Sequence, residues 1–406
     1  MKFYKQTIKT VPLEGTTVLL RADYNVPLRD DGTIADDFRI RASLPTIKLL
    51  LSEHCKIVVI SHLGRPEGRD EKLSLEPIAL RLAELLGKSI HFVPETIGDR
   101  VTMAVKRAPR NSVIVLENLR FDSREEANDR DLALQITVSS GAKYFVQDGF
   151  GVVHRAHAST EAITHFLPSV AGLLLEREVS TLNNAMEAPE RPLVAVMGGA
   201  KVSDKITLVE RFVEVADKVI IGGAMANTFL AYKGYGVGKS KVEKDQKEVL
   251  DAIYNAAAKK VGEDKVDEFI ILPLDLAVAG SIDSDQPRKV VSVDAIEEND
   301  IALDIGDESI AAIESEIKKA KTVIWNGTLG YAELPNFSVG SASLAGILAG
   351  NSDITSIIGG GDTADFVQHW DGKEGASFSH VSTGGGASLE LMAGEKLPGV
   401  ESLLDA

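Results

Sequence analysis

Arginine and histidine side chains recur where the apolar runs in the first half of the chain end. The segments read Arg21-Ala-Asp23-Tyr-Asn25, Ser61-His62-Leu63-Gly64-Arg65, Glu117-Asn118-Leu-Arg120 and His154-Arg155-Ala-His157, and Arg39 follows a turn at residues 30–32. A single arginine is most often part of a surface ion pair. The set as a whole predicts an anion site, because the planar guanidinium binds phosphate or carboxylate through two hydrogen bonds. Asp23 and Asn25 can also bind hydroxyl groups, which favours a phosphorylated hydroxy acid or sugar.

The apolar runs of the second half end in glycine-rich loops. These loops contain Gly198, Gly199, Lys201, Lys205, Gly222, Gly223, Asn326, Gly330, Gly360, Gly361, Asp362, Thr363, Gly384 and Gly385. Glycine lets backbone N–H groups approach phosphate closely, and a helix N-terminus offers unpaired donors. One such loop is most often only a tight turn, but several in one half of the chain predict a nucleotide site. Asp362 suits Mg²⁺ there, and Thr363 suits a helix N-cap.

Short apolar runs alternate with helical patterns along the whole chain, and these elements must position both sites. Strands are predicted at 17–21, 56–61, 112–117, 143–148, 193–197, 218–221, 269–272, 322–325, 354–358 and 380–381, with helices at 75–86, 204–216 and 247–260. Apolar strands separated by helices are typical of parallel sheets, which bind ligands at the carboxyl ends of their strands. Because ten strands are many for one sheet, we predict two Rossmann-like α/β domains, each a parallel sheet flanked by helices.

The domain boundary is predicted in the stretch 172–191, where the apolar spacing is helical and two prolines follow. The charge balance changes at the same place. Residues 1–178 carry 24 basic and 24 acidic residues, whereas residues 179–406 carry 20 and 36. We expect an N-terminal domain over 1–175, a hinge helix over 176–191, a C-terminal domain over 192–390, and a segment over 391–406 that packs on the N-terminal domain. A surface helix inside one large domain is the alternative.

Composition excludes several classes of partner. The 406-residue chain has a formal net charge of −16, which argues against nucleic acid or an anionic membrane. No run approaches the ~18 uninterrupted apolar residues of a membrane helix. Cys55 is the only cysteine, and the first residues lack the features of a secretion signal. We therefore expect a cytoplasmic protein.

Two other phosphate-binding motifs are incomplete. Residues 236–240 (GVGKS) match the end of a Walker A loop, but Lys233 stands where its first glycine belongs. No G-x-G-x-x-G pattern follows the first strand, so a dinucleotide-binding fingerprint has no support. We interpret residues 236–240 as an ordinary loop.

In their order along the chain, these motifs resemble those of the phosphoglycerate kinase family over nearly the full length. The matching segments are RADYNVP (21–27), SHLGRP (61–66), ENLRF (117–121), HRAHAS (154–159), GGAKVSDK (198–205), WNG (325–327), GGGDT (359–363) and STGGGAS (382–388). The resemblance implies a monomeric glycolytic kinase. Its reaction would be direct, in-line phosphoryl transfer between 1,3-bisphosphoglycerate and Mg-ADP, giving 3-phosphoglycerate and ATP.

The resemblance also implies a role for each matching residue. The N-terminal domain would bind phosphoglycerate through Asp23, Asn25, Arg39, His62, Leu63, Gly64, Arg65, Arg120 and Arg155. The C-terminal domain would bind the nucleotide through Gly198, Gly199, Lys201, Lys205, Gly222, Gly223, Asn326, Gly330, Glu333, Gly360, Gly361, Asp362 and Thr363, with Asp362 on Mg²⁺. The expected catalytic groups are Arg39, Lys201, Gly384 and Gly385, which would neutralise charge on the transferring phosphoryl group. Because the substrates bind to separate domains, catalysis would require closure about the hinge helix.

Several positions depart from the usual pattern of the family. Thr328 replaces a proline, Tyr331-Ala332 replaces Val-Phe, and Ala224 replaces a glycine. Gly149 replaces an alanine, and Asp307 replaces a proline. The changes at 328–332 lie beside the expected nucleoside site and leave the nucleotide preference open.

Two other functions remain as alternatives. A different two-domain kinase could use this scaffold on another phosphorylated acid, but the complete set of arginines in the first half argues against it. A non-catalytic, hinged ligand-binding protein would not need Lys201, Lys205 or Asp362.

Overall fold

The computed structural model of the protein describes residues 3–283 and 286–406. The chain divides into two compact units. The N-terminal unit contains the chain up to Ser180 together with Glu395–Ala406, and the C-terminal unit contains Thr181–Gly394. Each unit is organised around a six-stranded sheet. The sequence predicted one parallel sheet in each domain, but only four of the six strands in the first. Within the described residues, no helix is long and apolar enough to span a bilayer.

The sheet of the N-terminal unit is parallel throughout. Its strands are β1 (Thr17–Arg21), β2 (Lys56–Ile60), β3 (His91–Val93), β4 (Val113–Leu116), β5 (Tyr144–Gln147) and β6 (Ser169–Ala171). The order in space is β3-β4-β2-β1-β5-β6, so the chain starts near the centre and later returns to the other side of β1. The carboxyl ends of β1 and β5 therefore flank the topological switch point, where sheets of this kind bind ligands.

Helices cover both faces of this sheet. They are α1 (Phe38–Ser52), α2 (Glu76–Leu86), α3 (Asp99–Arg107) and α4 (Arg130–Ser140). Val18 and Leu20 of β1 pack in one core with α1 and α2, whereas Leu19 packs in the other with α3 and α4. Because successive strand residues point to opposite faces, a sheet covered on both sides requires continuous apolar strands. This requirement is why apolar runs identified the strands.

Helix α5 (Leu173–Glu187) begins in the N-terminal unit and ends in the C-terminal unit. The C-terminal unit repeats the same architecture with β7 (Leu193–Met197), β8 (Lys218–Ile221) and β9 (Ile270–Ile271). Three further strands, β10 (Asp275–Ala279), β11 (Lys289–Ser292) and β12 (Ile301–Ile305), precede β13 (Thr322–Asn326), β14 (Thr355–Gly359) and β15 (His380–Val381). Its helices are α6 (Ile206–Val215), α7 (Gly223–Tyr232), α8 (Lys247–Val261), α9 (Val266–Phe269), α10 (Asp307–Ile317), α11 (Val339–Ala349), α12 (Gly361–Asp371) and α13 (Gly386–Met392). The parallel order β15-β14-β13-β7-β8-β9 places the switch point at β7 and β13.

A small antiparallel sheet in the order β11-β10-β12 is an addition that the sequence did not predict. Strand β11 is largely exposed, so it lacks the continuous apolar run that marks the other strands. The three-residue strands β3 and β6 were also missed.

The end of the chain is attached to its beginning within the N-terminal unit. The Lys5 ammonium donates hydrogen bonds to the carbonyl oxygens of Glu401 and Leu403 at 2.8 and 3.1 Å, and to the Asp405 carboxylate at 2.7 Å. Helix α14 (Pro398–Glu401) lies in this segment. A lysine that is 6% exposed is thus satisfied by three acceptors.

Asp148 caps the first turn of α5. Its Oδ1 accepts the backbone N–H of Leu174 at 2.9 Å, and burial raises the pKa of this carboxyl to about 7. A Cβ at position 172 would lie 2.1 Å from the same oxygen. Gly172 is therefore required for the carboxylate to approach the helix N-terminus.

Replacing Gly172 with alanine is expected to lower the free energy of unfolding by about 1–3 kcal/mol, because the added methyl group displaces the Asp148 cap. Differential scanning calorimetry would show the loss as a lower Tm. Gly236→Ala is the matched control, since a Cβ there would meet nothing within 4 Å. Equal Tm values for the two variants would contradict this interpretation of the cap.

Candidate active site

An ion pair between Asp23 and Arg39 lies beyond the carboxyl end of β1. Arg39 Nη1 donates to Asp23 Oδ2 at 2.5 Å, and the arginine side chain remains 29% exposed. A Cβ at position 151 would lie 2.2 Å from that oxygen, so Gly151 leaves room for the pair. The other N–H groups of Arg39 make no hydrogen bond within the described part of the chain and face no competing carboxylate. They can bind an anion.

Hydrogen bonds join the loops that follow β1, β2 and β4. The N–H of Gly64 donates to Asn25 Oδ1 at 2.8 Å, and Arg120 Nη1 donates to the Gly64 carbonyl at 2.6 Å. Asn118 donates to the Leu63 carbonyl at 2.7 Å and accepts the Leu63 N–H at 3.2 Å. The loop after β2 is therefore held on both sides, which fixes the backbone of a predicted ligand site.

His62 is buried and electrically neutral. Its Nδ1 lies 3.2 Å from Arg21 Nη2, a group that can only donate, so Nδ1 accepts and Nε2 carries the proton. Burial lowers the pKa of His62 well below its usual range, and the charges of Arg21 and Arg120 lower it further. The imidazole therefore offers a fixed N–H donor without adding charge.

Arg21 is an interior residue, although the sequence pattern groups it with the anion-binding arginines. It is 1% exposed, and its Nε donates to Ser159 Oγ at 2.8 Å. Ser159 in turn donates to the buried carboxylate of Glu125 at 2.5 Å. Arg21 thus orients His62 rather than facing a ligand. Ser159 lies within a quoted motif, but no pattern in the sequence marked Glu125.

The remaining arginines give this end of the sheet an excess of positive charge. Arg65 and Arg155 are exposed and form no ion pair within residues 3–283 and 286–406, and Arg120 pairs with Glu126 at 2.9 Å. With Arg39, four guanidinium groups face two carboxylates. Since like charges at one site are costly without a counter-ion, the arrangement favours a polyanionic ligand.

In the C-terminal unit, the loops after β7 and β13 pass each other in direct contact. The N–H of Gly199 donates to the Thr328 carbonyl at 3.0 Å. A Cβ on Gly198 would lie 2.1 Å from that carbonyl oxygen, and one on Gly327 would lie 2.2 Å from the Gly198 oxygen. Gly327 also has a φ of +92°, which disfavours other residues. Only glycine permits this crossing of the two loops.

Lys205 lies beside the point where the two loops cross, and the Asp362 carboxylate lies near it. Its ammonium donates to the Gly198 carbonyl at 2.9 Å. Burial lowers the pKa of Lys205 to about 8, and the nearby Asp362 carboxylate opposes that shift. Lys205 thus stays mainly protonated at neutral pH. Lys201 is exposed in the same loop, whose next two N–H groups donate to the carboxylate of Glu243 at 2.8 and 3.0 Å.

Asn326, the last residue of β13, carries a buried amide without a protein partner. The side chain is fully buried, and neither Oδ1 nor Nδ2 has a hydrogen-bond partner within the described residues. The glycine turn after β14 runs past it, because a Cβ on Gly360 would lie 3.1 Å from Nδ2. Buried polar atoms are nearly always paired, so this amide is positioned to bind a polar ligand group.

A pocket of about 320 Å³ opens along these loops. Its lining includes five of the predicted nucleotide-binding residues, Gly199, Gly223, Gly330, Glu333 and Asp362. Lys239 and Lys241 also line it, although the sequence indicated only an ordinary loop there. A larger cavity of about 920 Å³ lies in the other unit at the amino ends of β3 and β4, and no predicted site residue lines it.

The donor set suits a magnesium ion that is held mainly by phosphate. Among the described residues there is no group of three or more histidine, cysteine or carboxylate side chains that could enclose a metal. Asp362 is an exposed carboxylate beside Lys205, at the start of α12. Mg²⁺ is commonly bound through one or two carboxylates together with substrate phosphates, and this arrangement fits that pattern.

Comparison with known proteins identifies the family of this chain. Residues 8–395 match the family model described as phosphoglycerate kinase. The chain belongs to the phosphoglycerate kinase family. It is 44% identical to the phosphoglycerate kinase of Dictyoglomus turgidum over 97% of this chain and 96% of that protein, and 46% identical to that of Rippkaea orientalis over 96% of each. The solved structure of phosphoglycerate kinase from Coxiella burnetii superposes with a TM-score of 0.84 at 34% identity, covering 98% of both chains.

Membership in the phosphoglycerate kinase family makes the chain a phosphotransferase with a carboxyl group as acceptor. It also confirms the fold class, because both six-stranded sheets are parallel and flanked by helices.

Two details of the predicted phosphate-binding loops need adjustment. Thr363 is not an N-cap: α12 begins at Gly361, and the Thr363 hydroxyl accepts the Gly327 N–H at 2.7 Å. The N–H of Gly384 donates to Ser382 Oγ at 3.1 Å, so Gly385 is the better placed of the two predicted amide donors.

Asp304 fixes Gly330 and was not predicted as a site residue. Its carboxylate accepts the N–H groups of Ile305 and Gly340, each at 2.9 Å. A Cβ on Gly330 would lie 2.3 Å from Oδ1, so this glycine packs directly on the carboxylate. Burial raises the pKa of Asp304 to about 7, although both N–H donors oppose the rise.

Asp304→Asn is expected to weaken the pH dependence of stability. Because the folded pKa of about 7 exceeds the ordinary value of 3.8, the stabilisation is complete below the lower value and is lost as pH rises through the upper one. The shift corresponds to about 4 kcal/mol. Between about pH 5 and pH 8, the Tm of the wild type should fall more steeply than that of the variant.

Calorimetry across that range provides the measurement. Asp353→Asn makes the same chemical change at an exposed carboxyl and serves as the control. Parallel Tm curves for Asp304→Asn and the wild type would show that Asp304 does not titrate as stated.

Proposed function

We propose that the protein catalyses reversible phosphoryl transfer from 1,3-bisphosphoglycerate to Mg-ADP, giving 3-phosphoglycerate and ATP. The observation that carries this proposal is the cluster of four guanidinium groups around Asp23 and the neutral His62. Together with the two carboxylates, these groups leave an excess of about two positive charges at this end of the sheet. An acid bearing phosphate at one end and carboxylate or acyl phosphate at the other would neutralise that excess and pair with guanidinium groups at both ends.

In the N-terminal unit, the arginines would bind the anionic ends of the phosphoglycerate. Arg65 and Arg155 are the best placed for this, since neither forms an ion pair within the described residues. Asp23 and Asn25 supply oxygen acceptors for the substrate hydroxyl group. The Nε2–H of His62 would donate to a carboxylate oxygen, and its neutral state is maintained by burial and by the neighbouring arginines.

In the C-terminal unit, Lys201, Lys205 and the amide of Asn326 would bind the nucleotide phosphates. Gly198, Gly199, Gly222 and Gly223 would allow the nucleotide to approach the backbone closely. Asp362 would hold Mg²⁺, which neutralises phosphate charge when it is bound. Glu333, an exposed carboxylate on the pocket rim, would accept hydrogen bonds from the ribose hydroxyls.

The chemical step would need no general base, because the attacking phosphate oxygen of ADP is already ionised. The lowered pKa of His62 makes it a weak base, so this histidine would act as a hydrogen-bond donor and not as a general base. Catalysis would then rest on in-line positioning and on neutralising the equatorial oxygens of the transferring group. Arg39, Lys201 and the Gly385 amide would supply that neutralisation.

A coupled assay of ATP formation from 1,3-bisphosphoglycerate and Mg-ADP tests the function directly. Arg39→Ala and Lys201→Ala should each lower kcat by about 10²–10³ while changing KM much less, because the lost contact acts mainly on the transition state. Arg107→Ala removes an exposed arginine away from both sites and should leave the rate unchanged. Absence of turnover in the wild type would refute the proposal, and unchanged kcat in both site variants would refute the catalytic assignment.

Since the two substrates would bind to separate units, we also propose that catalysis requires closure about α5. Closure would exclude water from a hydrolysable acyl phosphate. Small-angle scattering with 3-phosphoglycerate and Mg-ATP together should show a smaller radius of gyration than either ligand alone. An unchanged radius would contradict the closure model.

We also propose that the protein is a monomer, that it acts in the cytoplasm, and that its substrates are small molecules. A non-catalytic binding protein would bind its ligands but would form no ATP in the coupled assay. A kinase for another phosphorylated acid would turn over with that acid and not with 1,3-bisphosphoglycerate.

A further inference from the structure

The cavity of about 920 Å³ in the N-terminal unit lies at the opposite edge of the sheet from the arginine cluster. It is lined by residues of α3 and by the two loops that lead into β3 and β4. Because these strands are parallel, their amino ends lie at the far edge of the sheet from the carboxyl ends that carry the predicted substrate site. The volume lies within the ~300–1,000 Å³ of small-molecule sites, yet none of the roles proposed above uses this cavity.

The backbone of both loops is held in place. Helix α2 is followed by Gly87 with a φ of +60°, and the N–H of Lys88 donates to the Ala83 carbonyl at 3.2 Å. This arrangement fixes the direction in which the loop before β3 leaves the helix. In the loop before β4, Asn111 has a φ of +62°, and its N–H donates to the Cys55 carbonyl at 3.1 Å. The side chains that these loops carry therefore start from fixed positions.

The lining of the cavity is basic. Lys88 is half-buried, Arg110 is exposed, and neither forms an ion pair within residues 3–283 and 286–406. Arg100 also lines the cavity, 3.5 Å from the carboxylate of Glu95. The described residues that form the lining include no aspartate or glutamate. Since positive charges gathered without counter-charges attract an anion, and a guanidinium group suits phosphate, the lining favours an anionic ligand.

The same cavity offers an apolar surface and an unpaired amide. Met103 of α3 and Ile90 line it, and the methionine side chain is 45% exposed. An apolar body in the cavity would cover that side chain, which is a favourable burial of apolar surface. The Oδ1 atom of Asn111 is buried and has no hydrogen-bond partner within the described residues. Because buried polar atoms are nearly always paired, this amide adds a hydrogen-bonding group for a ligand.

We propose that this cavity binds a small organic phosphate with an apolar or aromatic body. Lys88 and Arg110 pair with the phosphate group, and Met103 and Ile90 contact the body. A phosphate ester carries close to two negative charges at neutral pH, so it balances both cations where a carboxylate balances one. The inference goes beyond the proposed phosphoryl transfer and does not depend on it, because no predicted residue of either substrate site lines the cavity.

Isothermal titration calorimetry with 1-naphthyl phosphate tests the proposal, with 3-phosphoglycerate and Mg-ADP present in excess so that the substrate sites are occupied. The wild type should bind a single molecule. Inorganic phosphate should bind more weakly, because it lacks the apolar body, and 1-naphthoate should bind more weakly, because it carries less charge.

The double variant Lys88→Ala/Arg110→Ala should raise the Kd for 1-naphthyl phosphate about tenfold or more, because each lost cation removes a charge-assisted hydrogen bond. Lys72→Ala/Lys106→Ala is the matched control. It removes the same charge from exposed positions of the same unit that do not line the cavity, and should leave the Kd unchanged.

Methyl NMR of methionine-labelled protein locates the ligand in the wild type. The chain has six methionines, and the Met103 signal is assigned by its loss in Met103→Leu. 1-Naphthyl phosphate should shift this signal, because the aromatic ring lies against the methyl group. The signals of Met225 and Met392, which are buried in the C-terminal unit, should stay in place.

Each other outcome overturns a stated part of the proposal. Absence of binding with the substrates present, or an unshifted Met103 signal, overturns the site itself. Equal Kd values for the wild type and the variant without Lys88 and Arg110 overturn the assignment to these cations. Equal affinity for inorganic phosphate overturns the role of the apolar surface. The coupled assay of ATP formation tests the proposed function separately, so none of these results bears on it.

Discussion

Both candidate sites depend on backbone passing so close to a neighbouring loop that no side chain fits between. In the N-terminal unit the constraint lies at Gly151, which leaves room for the Asp23–Arg39 pair. In the C-terminal unit it lies at Gly198 and Gly327, whose loops cross in direct contact. These positions lie beside the topological switch point of each sheet, where the loops after two neighbouring strands lead to opposite sides of the sheet. The geometry of each site follows from that convergence.

The two candidate anion sites are built by different physical means. The N-terminal unit, in a half of the chain with no net charge, gathers guanidinium groups at one edge of its sheet, and burial together with the charge of Arg21 lowers the pKa of His62 and keeps it neutral. The candidate site of the acidic C-terminal unit instead offers backbone N–H groups, a few lysines, and the amide of Asn326, which has no partner among the described residues. Net charge therefore says little about which unit binds the more anionic ligand, because local fields at the strand ends decide it.

The sequence predicted the parallel strands well because burial on both faces leaves a continuous apolar run, as in β1 and β7. It missed β11, which is exposed, and it could not tell Arg21 from its neighbours. In the sequence, an arginine that faces a ligand cannot be distinguished from one that is buried and hydrogen-bonded to interior side chains. The lysines at 239 and 241 were overlooked for a related reason, since only the pairing of their loop with β12 brings them to the pocket.

The attachment of residues 395–406 to Lys5 has a consequence for biosynthesis. The N-terminal unit is made of two stretches of chain separated by the whole of the C-terminal unit. Its last segment leaves the ribosome only after Thr181–Gly394 has been synthesised. The N-terminal unit is therefore completed only after the C-terminal unit has been made, and until then its buried Lys5 lacks its acceptors. The C-terminal unit, continuous in sequence, can fold during synthesis as a single piece.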